Sequence, residues 1–336
     1  SVSDQLWDRL YELSDTSLTL EDFISESYFG LIRNYRRLEW VLPYLFGASP
    51  ALCSTFIQDP KTNNFPFEVI GNGTLYLPYA TSLRMSDLGY TNQEQDNLNI
   101  SYNGLPCYLE GMKSAINMPS ANFAKIGVKV DGEYRQLNAN ILQIENEFYS
   151  PIRAKRVAKG NEKPSESLAR AGVEYIEVRA LDVNPYSSVG IEKSQIRFLD
   201  LFLLNCLLQP SKATDAAEEV EISANLNSVV LEGRKPGLML TRSGEDISLS
   251  SWLESLFDNL KDIAKLLDDE QDDYQVALAK WHKAVDNPDA TLSGQIIKGL
   301  KEDQIDHSDW VLQLAEEYHQ NYYLKNPIRY KYYRHS

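Results

Sequence analysis

The sequence lacks the features that define several protein classes. Only three of its 336 residues are cysteines, and no C-x-x-C pair occurs, so neither a disulfide framework nor a zinc site is predicted. Basic residues are outnumbered by acidic ones, 33 to 48, and the net charge of −15 argues against general binding to nucleic acids or anionic membranes. Apolar runs stay well short of the roughly 20 residues that span a bilayer, and the N-terminus has no signal-peptide pattern. We therefore expect a soluble, cytoplasmic protein.

What is present is a globular composition, with 43% hydrophobic and 24% charged residues. Apolar residues recur with a helical period over 21–42, and Pro43 is expected to end that helix. Segment 128–134 contains the Asp-Gly turn that is typical of a β-hairpin. From residue 191 onward the pattern becomes helical, with helices predicted over 191–208, 249–267, 274–285, 292–300 and 309–323. Strands first and helices last predict an α+β fold: a largely antiparallel sheet packed with helices and followed by a helical C-terminal region.

The most informative segment is 174–185, EYIEVRALDVNP. As a β-strand it places Tyr175, Glu177 and Arg179 on one face, because alternate side chains of a strand share a face. A carboxylate can hold Mg²⁺ and a guanidinium can hold a phosphate, so the pair suits a site that handles a metal-bound nucleotide triphosphate. An ordinary cross-strand salt bridge on a solvated sheet face is the alternative that this strand alone leaves open.

A second acidic face is predicted over 141–149. If this segment is a strand, Gln143, Glu145, Glu147 and Tyr149 lie on one face, which leads into the basic segment 151–156. Carboxylates gathered on one face repel one another unless cations lie between them, which favours bound Mg²⁺. Glu145 and Glu147 are therefore second-rank metal candidates, and a structural role for both stays open.

Six blocks of the sequence resemble, in the same order, the proteobacterial type of glutamate–cysteine ligase, a family also called γ-glutamylcysteine synthetase. The block 76–92, YLPYATSLRMSDLGYTN, resembles the signature of that family. Several long blocks in one order are far more specific than a single short motif. The similarity is dense from residue 28 to about residue 243 and looser to about residue 323. The other blocks are 35–50, 142–156, 174–185, 197–201 and 231–237.

The resemblance implies a reaction and a set of residues. The family uses ATP and Mg²⁺ to join the γ-carboxylate of glutamate to the amine of cysteine through an acyl phosphate, the first step of glutathione biosynthesis. Glu177 matches the family's Mg²⁺-binding glutamate, and Arg179 matches its phosphate-contacting arginine, the catalytic candidate. Arg84 matches the arginine that holds the carboxylate of cysteine, with Tyr90 and Tyr149 beside the same substrate. The implied partners are glutamate, cysteine and ATP, with no nucleic acid, membrane or obligate protein partner.

Each candidate for cysteine binding also has a structural interpretation. Tyr90 and Tyr149 are two of 20 tyrosines, and without the resemblance each is more typical of a core or rim position. Arg84 could form a local salt bridge with Asp87. The basic block 231–237 belongs to the resemblance, but its residues receive no role.

The resemblance also sets expectations for domain organisation. Residues 1–323 are expected to form a single ligase catalytic domain without its N-terminal part, with mixed sheet and helix over 1–190, an active-site face on the sheet, and mostly helix over 191–323. Residues 324–336 are expected to be a basic, disordered tail. Because the family carries further acidic ligands in its N-terminal region, this chain alone is expected to be at most a poor ligase. The alternatives are a non-catalytic module that binds amino acid or nucleotide without turnover, and another type of ATP-dependent carboxylate–amine ligase.

Overall fold

The computed structural model describes residues 2–14, 16–57, 65–89, 95, 98 and 100–324, with side chains to residue 321. Helices predominate and the strands form small antiparallel sheets, which confirms the predicted α+β class. Among the described residues no helix is both long enough and apolar enough to cross a membrane. The helices are α1 (Asp4–Leu13), α2 (Leu20–Arg37), α3 (Val41–Phe46), α4 (Leu105–Ala115), α5 (Ala121–Ile126), α6 (Pro164–Ala171), α7 (Lys193–Leu208), α8 (Ala216–Glu232), α9 (Leu249–Leu267), α10 (Asp273–Asp286), α11 (Leu292–Asp303) and α12 (His307–Tyr318).

The described strands belong to four antiparallel sheets. One sheet has three strands in the order β1-β3-β2, and the pairs β4-β5, β6-β7 and β8-β9 form two-stranded sheets. In the β4-β5 hairpin, Asp131 and Gly132 have φ angles of 53° and 87°, the left-handed pair that an Asp-Gly turn adopts. The predicted hairpin is therefore confirmed. The strands are β1 (Ala51–Cys53), β2 (Glu68–Ile70), β3 (Thr74–Tyr76), β4 (Lys129–Val130), β5 (Glu133–Tyr134), β6 (Ile152–Lys155), β7 (Tyr175–Val178), β8 (Met239–Arg242) and β9 (Glu245–Ser248).

The helical prediction over 21–42 is correct for α2 and wrong about Pro43. The helix ends at Arg37, and Pro43 lies inside the short helix α3. Pro43 is the third residue of α3, where a backbone N–H would have no partner within the helix, so the missing donor costs little. The predicted C-terminal helices are confirmed as α7, α9, α10, α11 and α12, and α9 has the predicted bounds.

The chain divides into two compact units, each assembled from separate stretches of sequence. Unit 1 comprises 1–39, 87–180 and 200–224, and unit 2 comprises 40–86, 181–199 and the chain from 225 onward. The expected single catalytic domain stays a prediction. Residues 325–336, the greater part of the expected tail, lie outside the described residues.

Unit 1 is organised around α2, which packs against β6. Thr19 caps this helix by accepting a hydrogen bond from the backbone N–H of Asp22, and Arg36 and Arg37 occupy its last turn, where cations are favoured by the helix dipole. Its apolar stripe is buried in the core of unit 1 and consists of Tyr28, Phe29, Leu31, Ile32 and Tyr35.

Unit 2 has an aromatic core and a small sheet. Phe46 of α3 makes edge-on contacts with Phe198 and Trp281, with ring centroids 5.4 and 4.8 Å apart. The sheet β1-β3-β2 packs on α11 through Ala51, Ile70, Tyr76, Ile296, Ile297 and Leu300. β3 of this sheet ends at Tyr76, eight residues before Arg84.

Candidate functional site

The strand predicted from the alternation around Glu177 is present as β7. It pairs antiparallel with β6, so that Glu177 lies opposite Arg153. The ladder continues past the end of β7, because the Arg179 N–H donates to the carbonyl of Pro151 at 2.8 Å. Backbone bonds on both sides of Glu177 therefore hold Glu177 and Arg179 on one rigid edge of unit 1.

Glu177 lies among basic side chains. Its carboxylate is 3.5 Å from the Lys155 ammonium, and 42% of its side chain is exposed. Arg153 is buried; burial, followed by repulsion from Arg179, lowers the pKa of the Arg153 guanidinium, while Glu177 acts in the opposite direction. The cross-strand ion pair that the sequence left open is thus present, and it is embedded in a strip of three cations. Such a strip favours an anionic ligand more than a solvated surface pair does.

Arg179 also contacts a second predicted residue. Its guanidinium carbon lies 5.3 Å from the centroid of the Tyr149 ring, within the range of a cation–π contact. Tyr149 lines an open cavity of about 750 Å³ in unit 1. The phosphate candidate and one cysteine-site candidate are therefore adjacent. The polar residues of this cavity include Arg36, Ser101, Tyr102, Ser150, Thr214 and Glu219.

The floor of this cavity is a buried polar network in unit 1. The Arg36 guanidinium lies 4.8 Å from the Tyr102 ring centroid and pairs with Glu219 of α8. The Tyr102 hydroxyl shares a 2.7 Å hydrogen bond with Ser150, the neighbour of Tyr149. The network therefore restrains the backbone next to the Tyr149–Arg179 contact. Sequence reasoning missed it, since its members are distant along the chain.

The predicted second acidic strand over 141–149 is wrong. The segment is a loop with one 3₁₀ turn over Glu145–Glu147, and its residues do not share a strand face. Side chains satisfy the backbone here: the Gln143 amide oxygen accepts from Leu137, and the Glu147 carboxylate accepts from the Gln143 N–H. Such local bonds compete with a strand ladder.

The carboxylate of Glu145 is bonded to the first turn of helix α6. It is 8% exposed, and its two carboxylate oxygens accept from the Ser165 N–H at 2.8 Å and the Ser165 hydroxyl at 2.6 Å. Ser165 lies in the first turn of α6, where a carboxylate satisfies an unpaired N–H and interacts favourably with the helix dipole. In the part of the chain that the structure describes, no group of three or more His, Cys, Asp or Glu side chains could hold a metal ion.

Replacing Glu145 with alanine is expected to lower the free energy of unfolding by about 1–3 kcal/mol, because it leaves two half-buried donors of Ser165 unpaired. Urea denaturation followed by circular dichroism measures this change. The matched control is Glu133→Ala, since Glu133 is an exposed residue of the β4-β5 hairpin. Equal stability of the two variants would contradict the structural role of Glu145.

Arg84 lies in unit 2, in a 3₁₀ turn over Leu83–Met85. Its Nε donates to the Asp182 carboxylate at 2.5 Å, so this guanidinium has a salt-bridge partner 98 residues along the chain. The side chain of Arg84 is 24% exposed, whereas that of Asp182 is 4% exposed. The buried carboxylate of Asp182 thus holds the Arg84 guanidinium, and part of the Arg84 side chain remains accessible to solvent.

Block 231–237, which received no role from the sequence, anchors the segment before Arg84. The guanidinium of Arg234 is buried and donates to the carbonyls of Pro78 and Ala80, at 2.6 and 3.3 Å, and to Asp289 at 3.1 Å. Its backbone N–H donates to the carbonyl of Tyr79. Burial lowers the pKa of the Arg234 guanidinium, and Asp289 opposes that effect. The burial of Arg234 could not be predicted from the sequence alone.

The predicted site residues are distributed over both units. Glu177, Arg179 and Tyr149 belong to unit 1, and Arg84 belongs to unit 2. Tyr90 lies outside the described residues. In unit 1, Tyr149 lies in contact with Arg179. In unit 2, Arg84 forms a salt bridge with Asp182, a residue that the sequence did not single out.

A sequence model of the glutamate–cysteine ligase family matches residues 1–229. The chain belongs to the glutamate–cysteine ligase family. It is 90% identical over 321 residues to glutamate–cysteine ligase from Shewanella halifaxensis, across 95% of this chain and 62% of that protein. The corresponding protein from Vibrio parahaemolyticus is 54% identical over 306 residues, across 90% of this chain and 58% of the relative. The chain therefore spans about three fifths of these ligases.

One solved structure agrees with membership of the glutamate–cysteine ligase family, and a second shares the fold. The crystal structure of glutamate–cysteine ligase from Francisella tularensis in complex with AMP superposes with a TM-score of 0.86 at 34% identity, covering 95% of this chain and 62% of that one. A bifunctional glutathione synthetase from Pasteurella multocida shares the fold, with a TM-score of 0.65 at 20% identity over 96% of this chain and 36% of that one. The resemblance inferred from the sequence blocks is confirmed.

Proposed function

We propose that this chain carries the phosphate-binding edge and the cysteine carboxylate site of a glutamate–cysteine ligase, which uses ATP to join the γ-carboxylate of glutamate to the amine of cysteine. Family membership supports the reaction, and the AMP bound to the Francisella tularensis ligase supports a nucleotide substrate. The observation that carries the assignment to residues is the rigid edge of β7, where Arg179 stacks on Tyr149 beside Glu177.

The proposed chemistry has two steps. The γ-carboxylate of glutamate attacks the γ-phosphorus of ATP, ADP leaves, and an acyl phosphate forms. The amine of cysteine then attacks the acyl carbon, phosphate leaves, and the amine loses a proton as the amide bond forms. Both steps concentrate negative charge, so a guanidinium on a fixed strand is the appropriate residue to stabilise the transferred phosphoryl group. Arg179 is proposed for this role, with Arg153 and Lys155 contributing positive potential.

The amino-acid side of the site is proposed to use the residues that match the family. Arg84 would hold the carboxylate of cysteine through charge-assisted hydrogen bonds, and Tyr149 and Tyr90 keep the role in cysteine binding that the family resemblance implies. The positions of Tyr149 in a cavity wall and of Arg84 on a partly exposed turn suit these roles.

Magnesium is proposed as the cofactor, with Glu177 as one of its ligands. Mg²⁺ is usually held by one or two carboxylates together with substrate phosphates and water, so a single half-exposed carboxylate beside a phosphate-binding arginine fits one ligand position. When bound, the ion would neutralise charge on the phosphates. The described residues supply no complete metal centre, and the other ligands would come from outside them.

A fusion tests the proposed function. This chain would replace the matching region of the Shewanella halifaxensis ligase, and ADP release and γ-glutamylcysteine formation would be followed at saturating Mg²⁺. We expect product formation that requires glutamate, cysteine and ATP together, and a higher Mg²⁺ requirement in the Glu177→Gln variant. A folded fusion that makes no γ-glutamylcysteine, beside an active Shewanella halifaxensis ligase, would contradict the proposal. The expectation that the unfused chain is a poor ligase stays a prediction for the same assay.

A further inference from the structure

Asp182 is a buried carboxylate whose two oxygens have different partners. Oδ1 accepts from Nε of Arg84 at 2.5 Å, and Oδ2 accepts from the Ala48 N–H at 2.7 Å and the Ser49 hydroxyl at 2.8 Å. The residue is 7% exposed. A buried carboxylate with three donors is held in one orientation, and it presents that orientation to Arg84.

The segments around this carboxylate are joined to one another as well. The Ser49 hydroxyl accepts from the Arg84 N–H at 3.2 Å, and the Ser49 carbonyl accepts from the Leu83 N–H at 2.8 Å. Gly47 lies in the same crowded region: a Cβ added there would be 2.5 Å from the Thr81 carbonyl oxygen, closer than any real side chain approaches. The backbone that carries Arg84 is therefore fixed on the side that faces Asp182.

The segment that carries Asp182 is equally restrained. The Asn184 side chain is fully buried; its amide donates to Gln195 at 2.8 Å, and its side-chain oxygen accepts from the Tyr186 N–H at 2.9 Å. The Asn184 N–H donates to the Gly190 carbonyl at 2.8 Å, which closes the loop. Neither member of the Arg84–Asp182 pair can move without breaking several bonds.

We infer that Asp182 is a positioning residue, which orients the Arg84 guanidinium for the carboxylate of cysteine. The inference rests on the proposed function of Arg84. Asp182 itself is too buried to reach a substrate, so its effect passes through Arg84. A bond at Nε holds the guanidinium by the edge nearest the side-chain stem, and it fixes the plane in which the other N–H donors lie.

A double-mutant cycle in the fusion enzyme tests this inference, with Asp182→Asn, Arg84→Lys and the two together. Asparagine keeps the shape and the acceptor oxygen for the segment 48–49 but loses the charge that holds Arg84. We expect Asp182→Asn to raise the KM for cysteine about tenfold, the loss of one charge-assisted hydrogen bond, and to leave the KM for ATP within twofold. In the Arg84→Lys background the same change should have little further effect, because residues that act through one contact are not additive.

The control is Asp258→Asn, which removes a carboxylate from an exposed ion pair on α9 and should leave the KM for cysteine unchanged. If Arg84→Lys raises that KM and Asp182→Asn does not, or if the two effects multiply in the double mutant, Asp182 does not act through Arg84 and the inference is overturned. If neither single variant changes it, the proposed role of Arg84 fails too. If the Asp182→Asn variant does not fold, Asp182→Glu replaces it in the cycle. Glutamate keeps the charge and displaces it by one methylene, and the same comparison of the KM for cysteine then tests the inference.

Discussion

The Arg179→Lys variant of the fusion enzyme is expected to lose at least about 100-fold in kcat, comparable with removing one preorganised donor from a transition-state site. Lysine keeps the positive charge but loses the planar pair of donors that can hold two phosphate oxygens at once. It also loses the contact with Tyr149, in which the guanidinium carbon of Arg179 lies 5.3 Å from the ring centroid. Steady-state ADP release at saturating glutamate, cysteine and Mg²⁺ measures the loss.

The matched control for this prediction is Arg135→Lys. Arg135 is an exposed arginine of unit 1 that pairs with Glu133 at 3.8 Å, so the same chemical change there should leave kcat within twofold. Thermal unfolding of both variants should resemble that of the parent, since Arg179 is proposed to act in phosphoryl transfer and not in the core. Turnover of Arg179→Lys close to that of the parent would remove Arg179 from the phosphate site.

Glu39→Gln is expected to remove a large pH dependence of stability. Glu39 is 3% exposed; its carboxylate lies 3.7 Å from Nε of Arg36, and its Oε2 has no hydrogen-bond partner among the described residues. Burial raises the pKa of Glu39 to about 7, Arg36 opposes the shift, and Glu219 adds to it. The buried hydroxyls of Tyr35 and Tyr102 belong to the same electrostatic environment.

The direction follows from the raised pKa. A carboxyl that titrates near pH 7 when folded and near its ordinary value when unfolded stabilises the protein fully at low pH, and this contribution is lost as pH rises through about 7. The neutral glutamine has no such loss. The free energy of unfolding of Glu39→Gln, relative to the parent, should therefore increase by about 2–3 kcal/mol between pH 5 and pH 8.

Urea denaturation of the 336-residue chain at several pH values measures this difference. Glu12→Gln is the control, because Glu12 forms an exposed ion pair with Arg9 and its removal should change stability by a small, nearly constant amount over the same range. A parallel pH dependence in the parent and in Glu39→Gln would show that Glu39 titrates near its ordinary value, contrary to the effect of its burial.

Patterns of local spacing predicted several elements correctly, and each success has a local cause. The strand around Glu177 follows from two-residue alternation, the hairpin from the left-handed preference of Asp131 and Gly132, and the C-terminal helices from a 3.6-residue period. Segment 141–149 also alternates, yet it is a loop. Alternation describes which side chains could share a face, but a strand additionally needs a partner whose backbone groups are available.

The resemblance of six sequence blocks to glutamate–cysteine ligases identified the family. The same resemblance selected Glu177, Arg179 and Arg84 as candidate site residues. The chemical type of each residue can be read from the chain, because carboxylates suit Mg²⁺ and guanidinium groups suit phosphates and carboxylates. Sequence could not determine what surrounds them. Whether a charged side chain binds a ligand or a neighbour depends on its burial and on the charges near it, and both are set by segments far away in the chain.

The sequence by itself therefore determined the α+β class, the family and the residue types of the candidate site. The tertiary structure decided that Asp182 holds Arg84, that Arg234 anchors the carbonyls before it, and that the Glu145 carboxylate accepts hydrogen bonds from the first turn of α6. The reason is physical: periodicity and propensity act over a few residues, whereas these contacts join groups 20 to 156 positions apart. Such partners become neighbours only when the chain buries its apolar surface, and burial is also what makes their charges matter.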